Sequence, residues 1–172
     1  IIREPEPQPE PPSLFDEPAE TAEQAPAQGW RPNDNAPTTL MLVRHGVTEM
    51  TERKAFSGTG GADPSLTSRG VEQAQRAGDY LKRLDPVDLV IASPLLRTRQ
   101  TAENIARALG ADIAIESGFA EANFGEWDGH TFAEIMAKWP DQMAEWLSDT
   151  NVAPPGGESF DQVRTRVDAA RH

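Results

Sequence analysis

Three stretches of the chain hold side chains that can do chemistry together. The first is Leu42-Val43-Arg44-His45-Gly46-Val47-Thr48, in which an imidazole and a guanidinium follow an apolar run. A histidine there can act as nucleophile or base, and the arginine beside it can hold an anion. The second is Ser93-Pro94-Leu95-Leu96-Arg97-Thr98-Arg99-Gln100-Thr101-Ala102. It puts Arg97 in the first turn of a helix, where a guanidinium fork and free backbone N–H groups both suit an anion. The third, from Phe119 to Gly129, carries Glu121, Glu126 and Asp128. Any of the three can protonate a leaving group if burial raises its pKa. Each residue also has a plainer reading: a hydrogen-bonded structural histidine, a surface arginine, a solvated loop carboxylate.

The elements around these stretches favour the chemical reading. Thr39-Leu40-Met41-Leu42-Val43 is a continuous apolar run, which predicts a strand buried on both faces of a parallel sheet and ending at Arg44. A Gly-rich loop follows. Thr67 or Ser68 is then expected to cap a helix with Val71, Ala74, Gly78 and Leu81 on its apolar face. Asp88–Ala92 reads as a second strand, and a helix through Ala102, Ile105, Ala106 and Leu109 is expected to end at Gly110. Ile113 and Ile115 alternate as a third strand. This order predicts an α/β fold, a doubly wound and mainly parallel sheet with flanking helices. In such sheets ligands bind beyond the carboxyl ends of the strands, where all three stretches lie.

Beyond Gly125 a small helical lid is expected. Thr131 and Glu134 form a capping box, Pro140 interrupts the run, and Trp127, Trp139 and Trp146 pack together rather than stack on bases. A last helix starts after Pro154-Pro155-Gly156-Gly157, capped by Ser159, with Val163 and Val167 inward.

Composition narrows the function classes. Residues 1–37 hold nine of the 15 prolines, and their two bases against eight acids give a net charge of −6, half of the chain's −12. That segment is expected to be a disordered acidic linker, and residues 38–172 the domain. With no cysteine there is no disulfide scaffold, thiolate metal site or cysteine nucleophile. The acidic balance argues against general binding of nucleic-acid backbone by this domain. No apolar run is long enough to span a bilayer, and no signal peptide is visible, so a cytoplasmic enzyme with no membrane partner is expected. The first residue is Ile1 and the last helix reaches His172 unfinished, so a piece of a longer protein is expected, its sheet incomplete at the C-terminus.

Taken together, LMLVRHGVTE, SGTGGADPSLTSRGVEQA, IASPLLRTRQTA, EANFGEWDG and PPGGESFDQV resemble, in order, the motifs of the histidine phosphatase (phosphoglycerate-mutase-like) superfamily. The resemblance implies that His45 is the nucleophile that becomes phosphorylated. Arg44 and Arg97 would hold the phosphoryl oxygens, and Glu121 would be the proton donor. Thr48, Thr51, Ser57 and Gly58 would touch phosphate or substrate. Losing either arginine would cost on the order of 10²–10³ in rate. No metal and no cofactor are implied, because the arginines supply the positive charge.

Two departures stand out. Thr51 occupies a position where the family often has asparagine. The family's second catalytic histidine matches neither His130 nor His172, and the chain is expected to end before it, leaving the 172 residues with little activity. The FGEWDGHTFAEI and PPGGESFDQV stretches are more similar to the phosphatase branch, including the alpha-ribazole phosphatase type, than to the mutases. Resemblance to actinobacterial proteins of this type implies fusion behind a linker to an upstream ribonuclease H domain, which would bring an RNA/DNA hybrid as that domain's partner. The expected function is hydrolysis of a small phosphorylated metabolite. The alternatives are a phosphoglycerate-type mutase or a noncatalytic phosphate-binding module. Substrate identity and oligomeric state are left open.

Overall fold

The computed structural model describes residues 38–84 and 86–171, and the expected linker over residues 1–37 lies outside them. The chain divides into two units between Met41 and Leu42, and the elements below belong to the second.

The centre of the fold is a strand–helix–strand unit. Leu89–Ala92 (β1) and Asp112–Ile115 (β2) pair in parallel with Leu89 opposite Asp112 and Ala92 opposite Ile115. Leu96–Leu109 (α3) crosses between them, as a parallel pair requires. Its inward face is Arg97, Thr101, Ala102, Ile105 and Ala106, spaced by 4, 1, 3 and 1 residues, and Gly110 ends it with φ 71° in the left-handed region. Ser68–Leu81 (α2) lies along α3 and is capped by Thr67, whose side chain accepts the Gly70 N–H. A Cβ at Gly78 would stand 2.9 Å from the Ala108 Cβ, so the two helices touch at a glycine.

The strand expected over Thr39–Val43 does not form. Among the described residues the sheet has two strands, and Leu40 and Leu42 are 74% and 96% exposed. An apolar run becomes a strand only when a neighbouring edge takes up its N–H and C=O groups, and here no ladder forms.

Glu49–Arg53 (α1) begins at Thr48, with a reciprocal capping box between Thr48 and Thr51. The lid comprises Phe132–Lys138 (α4) and Pro140–Ser148 (α5), with Thr131 and Glu134 forming the expected box and Pro140 in the first turn of α5. Its core is Trp127, Ile135 and Met143, all at 0% exposure, with Phe56, Phe124, Trp139 and Trp146 against them. Trp127 and Trp146 meet edge to face at 5.5 Å, the geometry their ring quadrupoles prefer. The tryptophans are therefore core. Phe160–Ala170 (α6) is capped by Ser159 as expected and keeps Val163 and Val167 half-buried. No helix among the described residues is long and apolar enough to cross a membrane.

Candidate active site

His45 is positioned without a strand. The next two residues are clamped between the helices: Gly46 N–H donates to Thr101 Oγ1 on α3 at 3.1 Å, and Val47 N–H to Gln73 Oε1 on α2 at 3.0 Å. The Val47 carbonyl accepts the Thr67 N–H at 2.9 Å. Backbones run so close here that a Cβ at Gly46 would collide with the Gly70 carbonyl, and one at Gly70 with that of Val47. The imidazole Nδ1 lies 2.8 Å from the Gly46 carbonyl oxygen. A carbonyl only accepts, so Nδ1 carries the proton and Nε2 keeps its lone pair. Burial lowers the His45 pKa below its usual value, and Arg97 and Arg44 push it the same way, against the Gly46 hydrogen bond and Glu121. The lowered pKa favours the neutral ring at neutral pH.

Arg97 faces the same cavity and is 1% exposed. Its Nη2 donates to the Ser57 carbonyl at 2.8 Å, and its Nη1 lies 3.7 Å from Asp63 Oδ1. Nη1 is buried with no hydrogen-bond partner. A buried guanidinium with an unused donor is a costly arrangement, which an incoming oxyanion would relieve. The free N–H groups expected at the start of α3 are partly spoken for, because both oxygens of Asp63 accept the Leu96 N–H at 3.0 Å. Asp63 is the cap that Leu95 does not supply.

The cavity has a volume of about 500 Å³. It brings together Arg44, His45, Arg97 and Glu121 with Thr48, Thr51 and Ser57. Gly58 is not in the lining: it is buried, and its N–H goes to Asp128 Oδ1 at 2.6 Å. Thr51 Oγ1 lies 3.1 Å from Thr48 Oγ1 within the helix cap, so it holds the loop beside the cavity as well as lining it. Of the three carboxylates weighed as proton donor, only Glu121 lines the cavity. Glu126 is exposed elsewhere, and Asp128 is engaged with Gly58.

Sequence reasoning passed over several residues. Lys54 adds a third cation to the lining and takes a left-handed conformation, φ 56°. Phe56 and Phe124 form an apolar wall. Three cations face one carboxylate, so the cavity suits an anion. Behind Glu121, Arg166 donates to the carbonyls of Gly118, Ala120 and Glu121 at 2.8, 2.8 and 3.1 Å. His130 is away from the cavity, against Trp139 and 4.0 Å from Glu134, and His172 lies outside the described residues. Among the described residues no cluster of three or more His, Asp or Glu side chains has the placement to hold a metal ion.

The pattern of the histidine phosphatase superfamily (branch 1) matches residues 40–172. The chain belongs to that superfamily. The chain is 43% identical over 143 residues to the bifunctional protein Rv2228c of Mycobacterium tuberculosis, covering 83% of this chain and 39% of that one. It therefore spans about two fifths of that relative's length. It is also 38% identical to a 2,3-bisphosphoglycerate-dependent phosphoglycerate mutase of Methylobacterium radiotolerans, over 74% of this chain and 62% of the other. Among solved structures it is similar to the alpha-ribazole phosphatase of Shigella flexneri, at a TM-score of 0.65 and 30% identity, with 74% of this chain and 62% of that one covered. The superfamily's fold is thus reproduced around the cavity described above.

Proposed function

We propose that this chain carries the catalytic residues of a phosphomonoester hydrolase that works through a phosphohistidine on His45. The observation that carries this reading is the meeting of a neutral imidazole with a free Nε2 and a buried guanidinium with an unused N–H in one cationic cavity.

The His45 Nε2 lone pair attacks phosphorus, forming the N–P bond as the bond from phosphorus to the ester oxygen breaks. Glu121 gives its proton to the departing oxygen. Arg44 and Arg97 face the equatorial oxygens, over which charge spreads during transfer. A water then attacks the phosphohistidine, Glu121 takes back a proton, and phosphate leaves with His45 restored. Thr48, Thr51 and Ser57 contribute polar contacts, and Lys54 attracts the substrate.

The substrate is a small phosphorylated metabolite, alpha-ribazole phosphate-like or one of a broader set, a reading supported by the Shigella relative. The name of the Mycobacterium relative supports a second activity in the longer protein, with a ribonuclease H domain as the candidate. The Methylobacterium relative favours a second reading, phosphoryl transfer between positions of one metabolite. The test uses the full-length protein that carries this chain. With chelator present it should release phosphate from p-nitrophenyl phosphate and leave an acid-labile phosphoryl label on the protein, and His45→Ala should abolish both. Isomerisation of a phosphoglycerate without phosphate release would sink hydrolysis. An unchanged rate in His45→Ala would sink the phosphohistidine.

A further inference from the structure

Asp128 is a half-buried carboxylate that the reaction leaves without a role. It does not line the cavity, its Oδ2 is buried with no partner, and its Oδ1 accepts the Gly58 N–H at 2.6 Å. That N–H belongs to the peptide group whose carbonyl, that of Ser57, accepts Arg97 Nη2 at 2.8 Å. One amide plane is therefore held between a carboxylate at its N–H end and a guanidinium at its C=O end. A negative charge at the donor end makes the carbonyl oxygen a stronger acceptor, so the two bonds reinforce each other. The peptide has little room to turn, since a Cβ on Gly58 would collide with the Ala122 carbonyl and stand 3.0 Å from the Phe124 ring. The tether engages Nη2 alone, leaving Nη1 as the unused donor.

We propose that Asp128 is a positioning residue that orients Arg97 through the Ser57–Gly58 peptide, committing one arm of the guanidinium fork to the protein and reserving the other for a phosphoryl oxygen. This rests on the reading of the cavity as a phosphoryl-transfer site. A carboxylate 31 residues beyond Arg97, and outside the cavity, thus sets the geometry of the anion clamp.

The test is a double-mutant cycle in the full-length protein, reading kcat/KM on p-nitrophenyl phosphate and inhibition by orthovanadate. Asp128→Asn keeps shape and removes charge. It should lower both readouts about 10- to 100-fold, the usual loss when a group that orients a first-contact residue is removed. In an Arg97→Lys background, which lacks the planar fork, the same substitution should change neither further. A merely structural role would act in both backgrounds, so multiplicative losses would overturn the proposal. Amide hydrogen exchange of Gly58 in the unsubstituted protein is independent of how any variant folds: strong protection is expected, and exchange at a free-loop rate would overturn the proposal too. If the parent protein neither turned over substrate nor bound vanadate, the phosphoryl-transfer reading itself would fail and take this inference with it. A working parent with a multiplicative cycle would remove this inference alone.

Discussion

Glu158 grips Arg166 with two parallel hydrogen bonds, Nε to Oε1 at 3.0 Å and Nη2 to Oε2 at 3.1 Å. The same guanidinium reaches three carbonyls of the 118–121 turn, and the Glu158 Oε2 also accepts the Asn123 N–H at 2.8 Å. Residues from α6 and the segment before it therefore hold the loop that carries Glu121.

Arg166→Leu leaves Glu158 without its partner and frees that loop. It should cost about 2–3 kcal/mol at neutral pH, in line with hydrogen bonds to charged groups. The Arg166 hydrogen bond holds the Glu158 pKa below 4.5. A lowered carboxylate pKa contributes stability above the unfolded value that is lost as pH falls through the folded one. The difference in melting temperature between parent and variant should accordingly shrink below about pH 4.5. A gap that stays constant down to pH 3 would show the pair to be irrelevant.

In the proposed mechanism His45 would set an acid limit on activity. Its pKa is lowered, chiefly by burial, so its Nε2 stays unprotonated to below pH 6.5. The kcat/KM profile of the full-length protein should fall on the acid side with an apparent pKa under 6.5. The same group contributes to stability in the opposite sense to a salt-bridged histidine: the unfolded chain binds the proton first, so stability rises with pH through this window. An acid limb centred above 7 would contradict both statements.

Thr101 links two site residues, accepting the Gly46 N–H and donating to the Arg97 carbonyl at 2.7 Å. Thr101→Val keeps the shape but strands a buried N–H. It should cost about 1–3 kcal/mol in denaturant unfolding and should lower kcat/KM more than distant substitutions of equal stability cost. Equal losses of rate in such controls would show that Thr101 does not position the site.

Lys54 separates backbone from charge. Glycine adopts the left-handed conformation of this position freely. Lys54→Gly should therefore leave the melting temperature within a few degrees of the parent while raising KM for phosphoesters. An unchanged KM would remove Lys54 from the list of residues that attract substrate.

Local signals were legible before the structure. The caps at Thr67, Thr131 and Ser159, the Gly110 stop and the apolar stripe of α3 each depend on residues within a turn or two, so spacing reveals them. The apolar run ending at Val43 misled, because whether it pairs depends on a neighbour that its own residues do not encode. Arg44, His45, Arg97 and Glu121 could be named from ordered motifs, and they share one cavity. The groups that hold them could not. Gln73, Asp63, Asp128 and Arg166 act across 26 to 70 residues, through pairings that exist only once the helices have packed.

The two-stranded sheet has a consequence for how the chain behaves in a tube. Leu89, Ile91, Ile113 and Ile115 are 38–51% exposed, and the edge of β1 away from β2 is unpaired among the described residues. An open edge with apolar flanks is a template that strands from other molecules can extend. Association through that edge would involve β1 and β2, none of whose residues lines the cavity. Concentration, as much as temperature, is therefore expected to govern how long a solution of this chain stays clear.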